Sequence, residues 1–359
     1  MKETKFKNTE IGMIPEEWEV KKLGTVFDIG NGRDYKHLNT GKIPVYGTGG
    51  LMTYVNEYLY DGETVCIGRK GTINMPQYHN GKIWTVDTLF YTYNFRKTDV
   101  KFLYHLAQII DWNAYNTATG VPSLTSRNVS NILVSLPPLH EQHRIASALT
   151  SIDNLISSLG KLIEKKKNIK QGAMQQLLTG RTRLKGFGEP WVEKKLGELF
   201  EIGNGKDYKN LKSGPIPVFG TGGLMTYVNE YLYDGETICI GRKGTIDKPQ
   251  YHKGKIWTVD TLFYTYRFKD INVKYLYYLS TTINWNEYNT ATGVPSLTSQ
   301  NILKIKVVLP LEEEQQAIAT ILTKMDDEIT ALEAKKVKYE AIKQGMMQQL
   351  LTGKIRLVS

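Results

Sequence analysis

Apolar residues Ile145, Leu149, Ile152, Ile156, Leu159 and Ile163 are spaced 4, 3, 4, 3 and 4 apart. That is the period of a helix that buries one seam against a partner helix. The spacing returns at Ile318, Leu322, Met325, Ile329 and Leu332, after which Lys336 stands where the first run has Ile163. The pattern predicts two long helices. The first opens after Leu136-Pro137-Pro138, where Pro138 suits a first turn and Glu141 favours the positive end of the helix dipole. Each run closes near Leu-Leu-Thr-Gly, at 177–180 and 350–353, where glycine can serve as a C-cap. About 40 residues at 1.5 Å rise span roughly 60 Å. Elsewhere short apolar runs at 43–46, 64–68, 82–86 and 89–93 lie between glycine turns and read as strands, with a helix over 102–112 after them. This predicts a small curved sheet with a few helices.

The whole pattern is written twice. Trp18 recurs as Trp191, Gly68-Arg69-Lys70-Gly71 as Gly241-Arg242-Lys243-Gly244, and Gly120-Val121-Pro122-Ser123 as Gly293-Val294-Pro295-Ser296, every pair 173 apart with no gap. Two equal modules in one chain make a pseudo-dimer, which fits a target that is itself two-fold; DNA inverted repeats are the commonest such target. If a two-fold axis relates the modules, the long helices run antiparallel. That sets Lys161, Lys165, Lys166, Lys167 and Lys170 beside Glu312, Glu313, Glu314, Asp326, Asp327 and Glu328. Each exposed pair contributes only ~0.2–1 kcal/mol, so charge selects the orientation while the seam supplies stability. The expected organisation is α/β: modules over 1–137 and 181–310, helices over 138–180 and 311–359, the last including a short tail.

The net charge of +10 is uneven: the α/β parts hold +2 and +6, the two helices +3 and −3, and the tail +2. A basic surface favours a polyanion. No apolar run approaches the ~18 residues of a membrane span, so a cytoplasmic protein with no membrane partner is expected. Cys66 and Cys239 are repeat equivalents in strand-like runs, expected buried and reduced, and one per module builds no metal site. His79 and His252 read as surface or turn histidines, Asp87 and Asp260 as groups satisfying backbone near a strand end, and most of the many tyrosines as half-buried packing. No phosphate-binding Gly-x-x-x-x-Gly-Lys-[Ser/Thr], no Asn-Pro-Pro-[Tyr/Phe], no serine elbow and no His-Glu-x-x-His occurs. The chain reads as a non-catalytic recognition part, with no catalytic or metal residue of its own.

Candidate DNA contacts lie in loops that combine glycine with basic and hydroxyl groups. The first module offers Arg33, Tyr35 and Lys36, then Arg69, Lys70 and Thr72, then Thr119, Ser123 and Arg127. The second offers Lys206, Tyr208 and Lys209, then Arg242, Lys243 and Thr245, then Thr292 and Ser296. Tight glycine turns bring backbone N–H groups near phosphates, Arg can read guanine bidentately, and Lys neutralises phosphate. Ordinary polar hairpin tips are the rival reading of the same loops.

The run Leu136-Pro137-Pro138-Leu139-x-Glu141-Gln142-x-x-Ile145-Ala146-x-x-Leu149, ending Met174-Gln175-Gln176-Leu177-Leu178-Thr179-Gly180, resembles the helical region of type I restriction-modification specificity subunits. So do its copy, ending Leu350-Leu351-Thr352-Gly353, and the opening Ile11-Gly12-x-Ile14-Pro15-x-x-Trp18. The resemblance spans the chain. It implies two pseudo-symmetric target-recognition domains joined by two long antiparallel coiled-coil helices. Each domain would read half of a bipartite site in double-stranded DNA, and the coil would set the spacer. It also implies two modification subunits that bind S-adenosylmethionine and methylate adenine, and restriction subunits that use ATP and Mg; this chain would bind none of these cofactors. The domains of one such subunit generally differ, whereas here they are near copies, so a palindromic or nearly palindromic site is expected. The alternatives are a bifunctional restriction-methylation protein, against which the missing methyltransferase motif speaks, and a tandem protein- or glycan-binding scaffold.

Overall fold

The glycine-punctuated runs form sheets and the heptad runs form helices in a computed structural model that describes residues 4–358. The chain divides into two compact units, residues 1–160 with 334–359, and residues 161–333.

In the first unit a six-stranded sheet has the spatial order Asp28–Asn31, Leu89–Tyr93, Tyr60–Gly68, Gln77–Thr85, Thr40–Gly47, Gly50–Val55. Neighbours are antiparallel except Thr40–Gly47 beside Gln77–Thr85, which run parallel. The central strand Tyr60–Gly68 is covered on both faces. Val65 and Ile67 join the main core with Trp18, Phe27, Phe102 and Trp112, while Cys66 faces a smaller cluster with Ile83 and Leu89. Burial pushes the Cys66 thiol up to about 12, which fits the expected buried, reduced cysteine. The helix expected at 102–112 is shorter and starts earlier, at Val100–Ala107. Asp99 caps it by accepting from the Phe102 N–H, and the Trp112 indole takes the Ala107 carbonyl at 2.8 Å, which ends it. Two small sheets complete the unit: the hairpin Phe6–Thr9 with Gly12–Pro15, and Glu19–Lys22 paired with Leu133–Leu136.

The second unit repeats this order with Glu201–Asn204, Leu262–Tyr266, Tyr233–Gly241, Gln250–Thr258, Ile216–Gly220 and Gly223–Val228. Its strand Ile216–Gly220 is shorter than Thr40–Gly47, and Pro215, which has no N–H to donate, stands where the first copy has Lys42.

The long helices are Leu139–Leu177 and Glu312–Leu350, 39 residues each. Each unit holds part of both, and within each the two helices run antiparallel. In the first, Lys343 pairs with Asp153 at 2.7 Å, and Ile145 and Leu149 share a core with Met347, Leu350 and Leu351. In the second, Lys170 meets Asp326 at 2.5 Å, Lys166 meets Glu328 at 2.7 Å and Lys167 meets Glu333 at 2.6 Å. The seam positions Ile145, Leu149, Ile152, Leu159, Ile163, Ile318, Leu322 and Ile329 are buried, and Ile156, Met325 and Leu332 are half-buried. Lys336 leaves the seam pattern and pairs with Glu340 at 2.8 Å on its own helix.

Glu141 does more than favour a dipole. It is fully buried, and takes two bonds from the Arg356 guanidinium, at 2.6 and 2.7 Å, and one from the Trp18 indole at 3.1 Å. Glu314 is held in the same way by Arg183, at 2.8 and 2.7 Å, and Trp191, at 3.2 Å. One of the tail's positive charges is thus paired inside the fold. Glycine ends both helices, Gly180 at φ +67° and Gly353 at φ +71°. Gly353 is doubly constrained, because a Cβ there would stand 2.4 Å from the Pro15 ring.

Candidate nucleic-acid interface

The loops singled out in the sequence are joined by backbone hydrogen bonds within each unit. In the first, the turn between Gln77–Thr85 and Leu89–Tyr93 is the hub. Gly32 N donates to Leu89 O at 2.9 Å and Arg33 N to Thr85 O at 2.8 Å, while Arg69 N donates to Thr88 O at 2.8 Å. The approach is close enough that a Cβ on Gly32 would stand 1.9 Å from the Val86 carbonyl oxygen. The Arg69 loop is stitched to the third loop: Gly71 N donates to Pro122 O, Leu124 N to Arg69 O, both 2.8 Å, and Lys70 bridges Ser123.

Asn116 organises that third loop, and sequence reading missed it. Its Oδ1 accepts from Ser123 N at 2.9 Å and Ala118 N at 3.1 Å, while its Nδ2 donates to Ala118 O at 2.9 Å. Asn289 does the same in the second unit. The available signal was an Asn that opens the same loop in both copies.

The second unit shows what this convergence makes. An open cleft of about 350 Å³ is lined by Asn204 from the first loop, Arg242 and Lys243 from the second, and Thr290, Ser296 and Thr298 from the third. Arg242 lies over the Phe263 ring at 5.8 Å, as Arg69 lies over Phe90 at 5.8 Å. Arg33, Lys36, Arg69, Lys70, Arg127, Lys206, Lys209, Arg242 and Lys243 are exposed. Among the described residues none of these cations pairs with a carboxylate, so each can meet a phosphate or a base edge.

The hydroxyl and aromatic candidates divide. Thr119 and Thr292 are exposed. Ser123 and Ser296 spend their hydroxyls inside the loop, donating to Val121 O and Val294 O at 3.0 Å, so they shape it. Thr72 and Thr245 are half-buried, and their carbonyl oxygens crowd Gly68 and Gly241. Tyr35 and Tyr208 pack on small clusters built on Val45, Trp84 and Val86 and on Val218, Trp257 and Val259. Arg127 lies on the helix Ser126–Asn131, capped by Thr125, and Gln300 takes its place in the second copy.

Two expectations are corrected. His79 and His252 are strand residues rather than turn residues, stacked 3.8 Å from the Tyr46 and Phe219 rings, and burial pushes both down to about 4. The Asp87 and Asp260 carboxylates accept no hydrogen bond among the described residues; their carbonyls take the Arg69 and Arg242 guanidinium groups at 3.3 and 3.4 Å. Most tyrosines of the first unit are half-buried as expected, Tyr35, Tyr46, Tyr60, Tyr78, Tyr91 and Tyr93 among them, while Tyr54 and Tyr58 are exposed, with the Lys82 ammonium 4.9 Å from the Tyr58 ring. Among the described residues no group of three or more His, Cys, Asp or Glu could hold a metal ion, and no helix is long and apolar enough to cross a membrane.

Comparison with known proteins gives a family and a fold. The family described as "Type I restriction modification DNA specificity domain" matches residues 15–171 and again 188–342. The chain is 25 % identical to the type I restriction enzyme MjaVIII specificity subunit of Methanocaldococcus jannaschii, covering 99 % of this chain and 97 % of that one. It is 28 % identical to the putative MjaX specificity subunit of the same organism, over 99 % and 98 %. In structure it is similar to the type I restriction-modification S subunit from M. genitalium, with a TM-score of 0.71 at 18 % identity, over 93 % of this chain and 96 % of that one.

Proposed function

The chain belongs to the type I restriction-modification DNA specificity family, and on that premise we propose that it reads a split duplex site, one half with each module. It is of the specificity class, and not a methyltransferase or nuclease. The observation that carries the reading is the cluster of three hydrogen-bonded loops with unpaired cations in each unit, which in the second surrounds a polar cleft. Phosphate contacts would hold the register and Arg69, Arg242 and their neighbours would meet base edges.

Residues 116–126 equal 289–299 throughout, and 68–73 equal 241–246. Near-identical readers would take near-identical half-sites, so the target is an inverted repeat around a fixed gap. The antiparallel helices would set that gap. The partners are two modification subunits, which would carry S-adenosylmethionine and methylate adenine, and restriction subunits, which would carry ATP and Mg. Methylation mapping in cells holding this chain and its modification subunit tests the reading. The expected result is an inverted repeat, with Arg33 against Lys206 and Arg127 against Gln300 relaxing one base at most. Two unrelated half-sites would contradict it, and duplex binding indifferent to salt would favour the protein- or glycan-binding scaffold.

A further inference from the structure

In each unit one hairpin carries apolar side chains into solvent. The strand Gly50–Val55 is the edge of its sheet, and Gly47 pairs with Gly50 and Tyr46 with Leu51 across a turn made of Thr48 and Gly49. Leu51, Met52 and Tyr54 are 51, 54 and 47 % exposed, and their copies Leu224, Met225 and Tyr227 are 52, 54 and 49 % exposed. The register shifts between Val45 and Tyr46, so Met52 sits at a bulge; its sulfur lies over Gly47 while about half of the side chain stays in solvent beside Leu51. Edge strands are usually blunted by charge or proline, yet here the apolar tip is kept twice. The tip lies in a longer identical run, 47–64 against 220–237, which also holds exposed Asn56 and Glu57; exposed positions outside it differ, as in Lys42 against Pro215, Asn74 against Asp247 and Asn80 against Lys253.

The tip adjoins the basic loop. Thr48 Oγ1 lies 3.8 Å from where a Cβ on Gly71 would stand, and Thr221 Oγ1 lies 3.7 Å from that point on Gly244. Gln77 Nε2 pins the turn by donating to Gly47 O at 2.9 Å and Thr48 O at 3.4 Å. Gly71 directly follows Arg69 and Lys70, so the apolar tip continues the surface on which the unpaired cations stand.

We propose that this hairpin is the apolar part of the DNA-contacting surface: Leu51 and Met52, and equally Leu224 and Met225, lie against base edges in the major groove and favour thymine methyls. The inference rests on the DNA-reading role above. The major groove admits a two-stranded ribbon, and apolar side chains there discriminate the thymine methyl. The division of labour is physical: the neighbouring cations supply salt-dependent attraction, and the tip supplies contact that carries no charge.

The test uses the full chain with its modification subunit, the mapped duplex, and the double variant Leu51→Ala/Met52→Ala, made in one copy and then, with Leu224→Ala/Met225→Ala, in both. Specific affinity should fall roughly ten-fold or more with both copies altered, because apolar burial is lost. The salt slope should stay the same, since no cation is removed. The one-copy variant should lose preference at one half-site only. Uracil in place of thymine in a half-site should weaken the unaltered complex and leave the two-copy variant indifferent. Equal affinity and selection by variant and unaltered complex would overturn the proposal and point to a protein partner or a second copy of the chain at this edge. A loss of binding accompanied by a large fall in unfolding midpoint would overturn it too, as a folding role. If the unaltered complex shows no salt-dependent duplex binding, the DNA-reading role itself fails and this contact falls with it.

Discussion

At position 105 the two copies answer one packing problem differently. Tyr278, the counterpart of His105, donates to Asp326 at 2.8 Å and accepts from the Thr323 hydroxyl at 3.2 Å. His105 meets Thr150 at only 3.4 Å, stands 3.9 Å from Asp153, and leaves its buried Nδ1 without a partner. Burial pushes its pKa down to about 4, against the attraction of Asp153. Substituting His105→Tyr should therefore stabilise the first unit by about 1 kcal/mol, because a buried orphan is replaced by a phenol that reaches Asp153; urea unfolding checks this. His79, His105 and His252 stay neutral in the fold down to about pH 4 but protonate near 6.5 when unfolded. The unfolded chain thus binds more protons in that window. Stability is intact above pH 6.5 and falls as pH drops toward 4, by roughly 3 kcal/mol for a fully expressed histidine. The His105→Tyr variant should lose less over the same range. Residue-scale contacts were the least legible part of the sequence. Alternation gives the two faces of a strand but not which is covered, so the stacking of His79 on Tyr46 is not readable from it.

Among the elements, the loops and the long helices were legible for different reasons. A period of 3.5 sustained over both runs admits one structure, and glycine doublets mark turns whatever lies beyond them. The helix Val100–Ala107 ends earlier than its apolar pattern suggests, because the side chain of Trp112, five residues on, takes up the Ala107 carbonyl, and an indole carries no recognised stop signal. That the loops converge was not readable either, since the joining bonds link Arg69 to Leu124 and Arg33 to Thr85 across long stretches of chain. Replacing Arg69, Lys70, Arg242 and Lys243 with alanine should weaken duplex binding without shifting the unfolding midpoint. Losing a phosphate-contacting lysine should lower the salt slope by about one unit, and losing a base-reading arginine should cost ~1–3 kcal/mol and relax one position. Titrations at several salt concentrations separate the two; unchanged affinity and preference would return these loops to plain hairpin tips.

For the whole molecule, two predictions concern contacts between segments far apart in the chain. Replacing Arg356 with Met leaves Glu141 buried with only the Trp18 indole, which should destabilise the first unit by about 3–5 kcal/mol; adding Glu141→Leu should recover much of it. Chemical unfolding of the single and double variants reads this. Inserting one heptad into each long helix at matched points should keep the packing phase and lengthen the pair by about 10 Å. At about 3.4 Å per base pair the preferred gap should then grow by roughly three base pairs with the half-sites unchanged. An unchanged gap with full activity, found by methylation mapping, would show that the helices are not the ruler.

The division of the chain also sets an order of events at the ribosome. Residues 161–333 are one uninterrupted stretch, so the second unit can close as soon as that stretch has emerged. The first unit is begun earlier and finished later, because its core includes Met347, Leu350 and Leu351 and its buried Glu141 waits for Arg356. The usual sequence, in which the part made first folds first, is therefore inverted. Throughout the synthesis of some two hundred residues, the half-built unit holds an uncovered apolar face and an uncompensated carboxylate. During this interval the nascent chain exposes apolar surface that the finished protein covers, the condition under which partly folded chains aggregate.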